Sequence, residues 1–143
     1  MLAYLWEMEM TYTLEHLDMV ADQLISQYGN KAVWAFFTPM GAGKTTLIGR
    51  ICKKMGITDA VASPTFSIMN QYDANGKLVY HMDWYRLEDE SEARRTGVEA
   101  AMDEADLSFI EWPEKAPALL PVDYLHIQIE ILDPERRRII ITS

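Results

Sequence analysis

Apolar residues recur along this chain at spacings that change from strand to helix and back. Met8 to Tyr12 reads as a short strand. Leu14, Leu17, Val20, Ala21, Leu24 and Ile25 then return every three or four positions, which predicts a helix that Thr13 is placed to cap and Gly29-Asn30 to end. Ala32 to Phe37 is an unbroken apolar run of strand length, as a central strand covered on both faces requires. From Lys44 a second helix carries Leu47, Ile48, Ile51, Cys52 and Met55 on one stripe, and Gly56 stops it. Cys52 therefore reads as a core side chain rather than a reactive thiol.

The second half alternates more. Thr65 to Tyr72 and Lys77 to Tyr85 flank Asp73-Ala-Asn-Gly76, whose residues are turn formers, so an antiparallel hairpin is expected. Period two puts His81, Asp83 and Tyr85 on one face, giving that strand a polar edge. Glu88 to Glu104 is charged and mostly helical, broken at Gly97. Leu107 to Ile110 is a short apolar strand ending in Glu111. Pro113, Pro117 and Pro121 mark an irregular connection rather than a domain boundary, because too little chain follows to fold alone. A last hairpin follows, in which Leu125, Ile127, Ile129 and Ile131 alternate with His126, Gln128 and Glu130, one face buried and the other wet.

Composition narrows the class. A chain of 143 residues fits one domain spanning 1–143, and 49% hydrophobic with 24% charged residues is ordinary for a globular protein with a packed core. Thirteen basic against twenty-two acidic residues give a net charge of −9, the wrong sign for holding nucleic acid unaided. If RNA is involved, a partner is expected to carry it. Cys52 is the single cysteine, so no internal disulfide forms and a reducing cytoplasm is the simpler expectation. The N-terminal apolar patch has no basic residue ahead of it, unlike a secretory signal, and the longest uncharged stretch, Ala32 to Gly43, is too short to span a bilayer. A soluble protein without a membrane role is expected.

The chemistry concentrates at Gly41-Ala42-Gly43-Lys44-Thr45-Thr46, between a predicted strand and a predicted helix. Backbone N–H groups of such a loop and of the helix start point at a phosphate. The glycines allow angles and close approach that a Cβ would block, Lys44 supplies charge for the β and γ phosphates, and the Thr45 hydroxyl can ligate Mg2+. The usual signature has a glycine five residues before Gly43, where this chain has Thr38; Pro39 pushes that threonine toward extended backbone, so no positive φ is expected there. A P-loop also needs an acid at the end of a neighbouring strand, and both Asp83 and Glu111 qualify without the sequence ranking them. His81 reads as a packed or hydrogen-bonded side chain rather than a base. Arg94-Arg95 and Arg136-Arg137-Arg138 read as solvated faces. Asn70-Gln-Tyr-Asp73 lacks the lysine of a guanine-reading motif, which favours ATP over GTP.

Four stretches in order, Met40-Gly-Ala-Gly-Lys-Thr-Thr46, Ser63-Pro-Thr-Phe66, His81-Met-Asp-Trp-Tyr-Arg86 and Glu111-Trp-Pro113, closely resemble the TsaE (YjeE) family of small bacterial P-loop ATPases. The resemblance implies an α/β fold, a P-loop NTPase domain with a mixed central sheet flanked by helices and antiparallel hairpins. It implies ATP and Mg2+ as ligands, and slow ATP hydrolysis stimulated by a TsaD–TsaB heterodimer. That assembly makes N6-threonylcarbamoyladenosine at tRNA position 37, with tRNA reached only through the partners. Carried over by residue, Met40 to Thr46 (Met40, Gly41, Ala42, Gly43, Lys44, Thr45 and Thr46) would cradle phosphate. Thr45, Asp83 and Glu111 would serve metal and water, and Thr13 would lie near the base. Ser63 and Thr65 would belong to a first switch segment and Trp112 to a second, where it serves either the switch or the core; Arg86 is either functional or a structural ion pair. Two other readings stay open: a small nucleoside or nucleotide kinase with Arg94-Arg95 as a lid clamp, and a nucleotide-gated binding module that hydrolyses nothing of consequence.

Overall fold

In the computed structural model the described residues are 6–59, 61, 64 and 68–142. Seven strands, β1 (Trp6–Thr13), β2 (Val33–Phe37), β3 (Met69–Ala74), β4 (Lys77–Asp83), β5 (Leu107–Glu111), β6 (Leu125–Ile131) and β7 (Arg136–Thr142), form one sheet in the order β1-β7-β6-β2-β5-β4-β3. The four middle strands, β6, β2, β5 and β4, run parallel, while β1, β7 and β3 join antiparallel at the two sides. The apolar runs occupy the centre: all five residues of β5 and the first four of β2 are buried.

Both faces are covered, which is why those runs do not alternate. Helices α1 (Leu17–Tyr28) and α2 (Lys44–Lys54) pack with Trp34, Phe36 and Phe109 on one face. Trp34 and Phe109 meet edge to face at 5.4 Å and 88°. On the other face α3 (Glu90–Arg95) and α4 (Val98–Glu104) supply Ala93, Val98 and Ala101 to a cluster with Met82, Trp84 and Ile110. Gly97, with φ +86, separates these two short helices, as its position between them predicts.

Several expectations shift in detail. A 3-10 turn, Leu14–His16, precedes α1, so Leu14 leaves the helical stripe and is 69% exposed. Thr13 is extended and its Oγ1 lies 3.2 Å from His16 Nδ1, making no side-chain bond to a helix N–H. The β3–β4 turn is only Asn75-Gly76, at φ 54° and 91°, because a two-residue loop with positive φ at both positions matches strand twist. Thr65 to Ser67, where the sequence starts that hairpin, lie outside the described residues. β4 stops at Asp83, and it is an interior strand between β3 and β5 with His81 fully buried, so the polar edge expected there does not exist. Ile131, at the end of β6, is 44% exposed.

Cys52 is fully buried in the α2 stripe, and burial pushes its thiol from 9.0 up to about 12. The folded value lies above the unfolded one, so below about pH 9 the thiol is neutral in both states and adds nothing to the pH slope. Between about 9 and about 12 unfolding releases a proton, and stability falls as pH rises. Iodoacetamide at pH 8 is expected to leave the native thiol unmodified while alkylating the urea-unfolded chain. Cys52→Val is expected to flatten the alkaline limb of the stability curve, read by urea titration.

Candidate functional site

β2 delivers the chain to the glycine loop, and the loop opens α2. Thr38 is buried and is not among the positive-φ residues, as the neighbouring proline requires. Gly41 and Gly43 sit at φ +79 and +87, and a Cβ at either would meet nothing within 4 Å. The backbone angle, rather than crowding by the protein, is what demands glycine, and the space beside the loop is open. Ala42 N–H donates to Pro39 O at 3.3 Å and Leu47 N–H to Gly43 O at 3.0 Å. No side chain caps α2, an arrangement that suits an anion at its N-terminus.

Lys44 is only 7% exposed, and its Nζ makes no hydrogen bond among the described residues. It lies 3.9 Å from the centroid of the Trp112 ring. Burial lowers the Lys44 pKa, against the opposing charges of Glu111, Asp83 and Glu114. A buried ammonium without a hydrogen-bond acceptor is what a site for a polyanion would hold ready.

The two acids stand side by side in register at the ends of β4 and β5. The geometry distinguishes them where the sequence does not. Glu111, 1% exposed, accepts from Thr45 Oγ1 at 3.0 Å and meets His81 Nε2 at 2.5 Å through its other oxygen. Asp83 accepts the Tyr85 N–H at 2.9 Å. Burial raises the Asp83 pKa foremost; the Tyr85 N–H opposes this, the Glu111 charge adds to it, and Lys44 and His81 oppose it. Burial likewise raises Glu114. This donor set, a hydroxyl and two carboxylates, is all oxygen, which fits a hard ion such as Mg2+ that completes its shell with water and phosphate.

Trp112 follows Glu111 at φ +59, a conformation that a bulky residue rarely adopts. Its ring packs at 5.0 Å on Tyr85, which is 47% exposed. The tryptophan thus belongs to the site as well as to packing.

Two clefts meet over the loop, with volumes of about 620 and 650 Å³, and both are lined by Gly43 and Thr46. The first also has Tyr12, Thr13, Ala42 and Arg137; the second has Met40, Gly41, Lys44, Thr45, Asp83, Arg86, Glu111 and Trp112. The structure therefore brings together every residue expected at the site except Ser63 and Thr65, which lie outside the described residues; Pro64 between them lines the second cleft. Arg94 and Arg95 line neither.

Arg137 escapes the sequence reading. Within a run of three arginines it looks like part of a solvated face, but its Nε donates to Ala42 O at 3.1 Å and its Nη1 to Asp133 O at 2.8 Å. Only the sheet order, which places the last hairpin beside β2, brings it to the loop. Alternation along β7 is the one signal that could separate it from its neighbours.

A family model described as threonylcarbamoyl adenosine biosynthesis protein TsaE matches residues 11–139. The chain is 32% identical over 117 residues to the tRNA threonylcarbamoyladenosine biosynthesis protein TsaE of Haemophilus influenzae, covering 81% of this chain and 74% of that one. Against the protein of the same name from Bacillus subtilis it is 36% identical over 104 residues, covering 73% and 65%. Against that of Rickettsia bellii it is 33% identical, covering 73% and 72%. The chain thus matches between 65% and 74% of these relatives' lengths. A crystal structure of Bacillus subtilis YdiB superposes with TM-score 0.75 over 99% of this chain and 88% of that one; at 23% identity this shows that the two share a fold.

Loss of the charged hydrogen bond from Arg137 to the loop is expected to matter more than loss of its neighbour. Arg137→Ala should lower the unfolding free energy by about 1.5–3 kcal/mol in urea titration. Arg136, 57% exposed and paired with Asp133 at 2.6 Å, should cost about 1 kcal/mol or less on the same substitution.

Proposed function

This chain belongs to the TsaE family of threonylcarbamoyl adenosine biosynthesis proteins, and from that premise we propose that it is a magnesium-dependent ATP hydrolase. In this reading its nucleotide state supports repeated turnover of a TsaD–TsaB heterodimer making N6-threonylcarbamoyladenosine in tRNA. The acidic balance, a net charge of −9, supports a division of labour in which the partners hold the tRNA. No helix among the described residues is long and apolar enough to cross a membrane, and a cytoplasmic location belongs to the same proposal.

The observation that carries the reading is the buried, unbonded Lys44 ammonium at a glycine loop, beside a carboxylate tied to the helix's own Thr45. The loop amides and Lys44 bind the triphosphate; Thr45, Glu111 and Asp83 are the residues that would hold the ion and order water. When bound, Mg2+ neutralises charge building on the β and γ oxygens. The chain's own contribution is to orient the phosphates in the second cleft. Tyr12 and Thr13 in the adjoining cleft would receive the base. Pro64 lines the phosphate cleft, which supports a switch segment that a γ-phosphate would order, the basis for a nucleotide-dependent partner surface that includes Arg86 and Trp112. The kinase reading loses its clamp, since Arg94 pairs with Glu99 at 3.7 Å and Arg95 bonds Ser91 at 2.9 Å.

Lys44→Ala is expected to abolish magnesium-dependent ATP binding and phosphate release. Glu111→Ala should still bind nucleotide and partners but release phosphate on the order of a hundredfold more slowly and block repeated tRNA modification. Phosphate release and modified tRNA, measured with and without the partner pair, read both. Equal turnover by wild type and both variants would overturn the hydrolase reading, and label moving from ATP to an added nucleoside would make it a kinase.

A further inference from the structure

His81 is not explained by the sheet it sits in. It is fully buried on β4, two residues after the core residue Val79 and in register with the core residue Phe109 on β5, a position at which an apolar side chain would pack without cost. Its ring makes one polar contact among the described residues, from Nε2 to Glu111 Oε2, and Nδ1 is buried without a partner. A buried N–H left unpaired costs more than an unpaired ring lone pair, so in the neutral ring the proton belongs on Nε2 and points at Glu111. Glu111 in turn has its other oxygen on Thr45, at the helix start. Both oxygens of a fully buried carboxylate are thereby fixed, one by each side of the site.

We propose that His81 is a positioning residue: by donating Nε2–H to Glu111 Oε2 it turns Oε1 toward Thr45, at the corner where the ion would be held. The inference rests on the reading of Glu111 given above and adds a residue that acts only through it. Its backing is geometric, like that of a ligand oriented by an outer partner. Asp83, two residues on, is held separately, with its Oδ1 accepting the Tyr85 N–H. His81 faces the same side of the sheet as Asp83 and Glu111, one step back along β4 from the row that those two acids form at the strand ends.

The test measures binding of a fluorescent ATP analogue during a magnesium titration, and separately in EDTA. His81→Leu is expected to need about 10–100-fold more magnesium for half-maximal gain in nucleotide affinity, with affinity in EDTA unchanged. His81→Gln, whose amide nitrogen falls near the Nε2 position, should recover most of the loss, and His81→Asn, whose amide falls near Nδ1, should not. In a Glu111→Gln background His81→Leu should add nothing. If Glu111→Gln weakens the magnesium response and His81→Leu does not, the inference fails alone. If His81→Leu weakens binding equally in EDTA, its role is structural and the inference also fails. If Glu111→Gln itself leaves the magnesium response unchanged, the reading of Glu111 falls and takes this one with it. Should His81→Leu not fold, the order of Gln above Asn decides, and equality of the two overturns the proposal.

Discussion

A carboxylate at 1% exposure must have both oxygens satisfied inside the protein, and Glu111 meets this requirement through three separate parts of the chain. Thr45, at the start of α2, holds one oxygen; His81, on β4, holds the other; and Glu111 itself ends β5. Each contact ties Glu111 to a different part of the chain, so the loop, the helix and two strands are set relative to one another at a single side chain. Lys44, beside it, is the complementary case: a cation whose hydrogen bonds are not made within the described protein. One group is closed and the other is open, which is the asymmetry of a binding site rather than of a structural ion pair.

The sheet explains why these groups meet. Four parallel strands end on the same side, and in open α/β sheets the crevice outside those ends is where ligands bind. Two apolar clusters, one on each face, hold the central strands rigid, so the loop starts from a fixed point at Phe37. The last hairpin contributes from the other direction, running β6 parallel to β2 and returning β7 with Arg137 on the Ala42 carbonyl. Trp112 adds a residue at φ +59 between the buried acid and the 3-10 turn Pro113–Lys115, a strained link of the kind that concentrates at functional sites.

Much of this was legible because it is local. The unbroken apolar run at Ala32 to Phe37, the stripe from Leu47 to Met55 and the break at Gly97 follow from period and glycine alone, and β2 (Val33–Phe37), α2 (Lys44–Lys54) and the gap between α3 and α4 stand within a residue of those signals. The glycine loop and its two acids were readable because phosphate chemistry limits which residues can serve. Strand order was not, since nothing near β6 or β7 says that they join the sheet beside β2, and so Arg137 passed for a solvated charge. His81 reads as packed or hydrogen-bonded and is both, but the polar edge expected for its strand was wrong for the same reason: period two gives a face, and only the neighbours β3 and β5 decide whether it is wet. Thr13 failed as a cap because a 3-10 turn, which has no sequence period long enough to detect, intervenes before α1.

The most direct measurement is a crystal structure with a non-hydrolysable ATP analogue and magnesium. The triphosphate is expected on the Gly41–Thr46 backbone, with Lys44 Nζ moved from the Trp112 ring to a phosphate oxygen, and with the ion beside Thr45 and Glu111. A triphosphate bound elsewhere, or a loop left empty with Lys44 still 3.9 Å above Trp112, would contradict it.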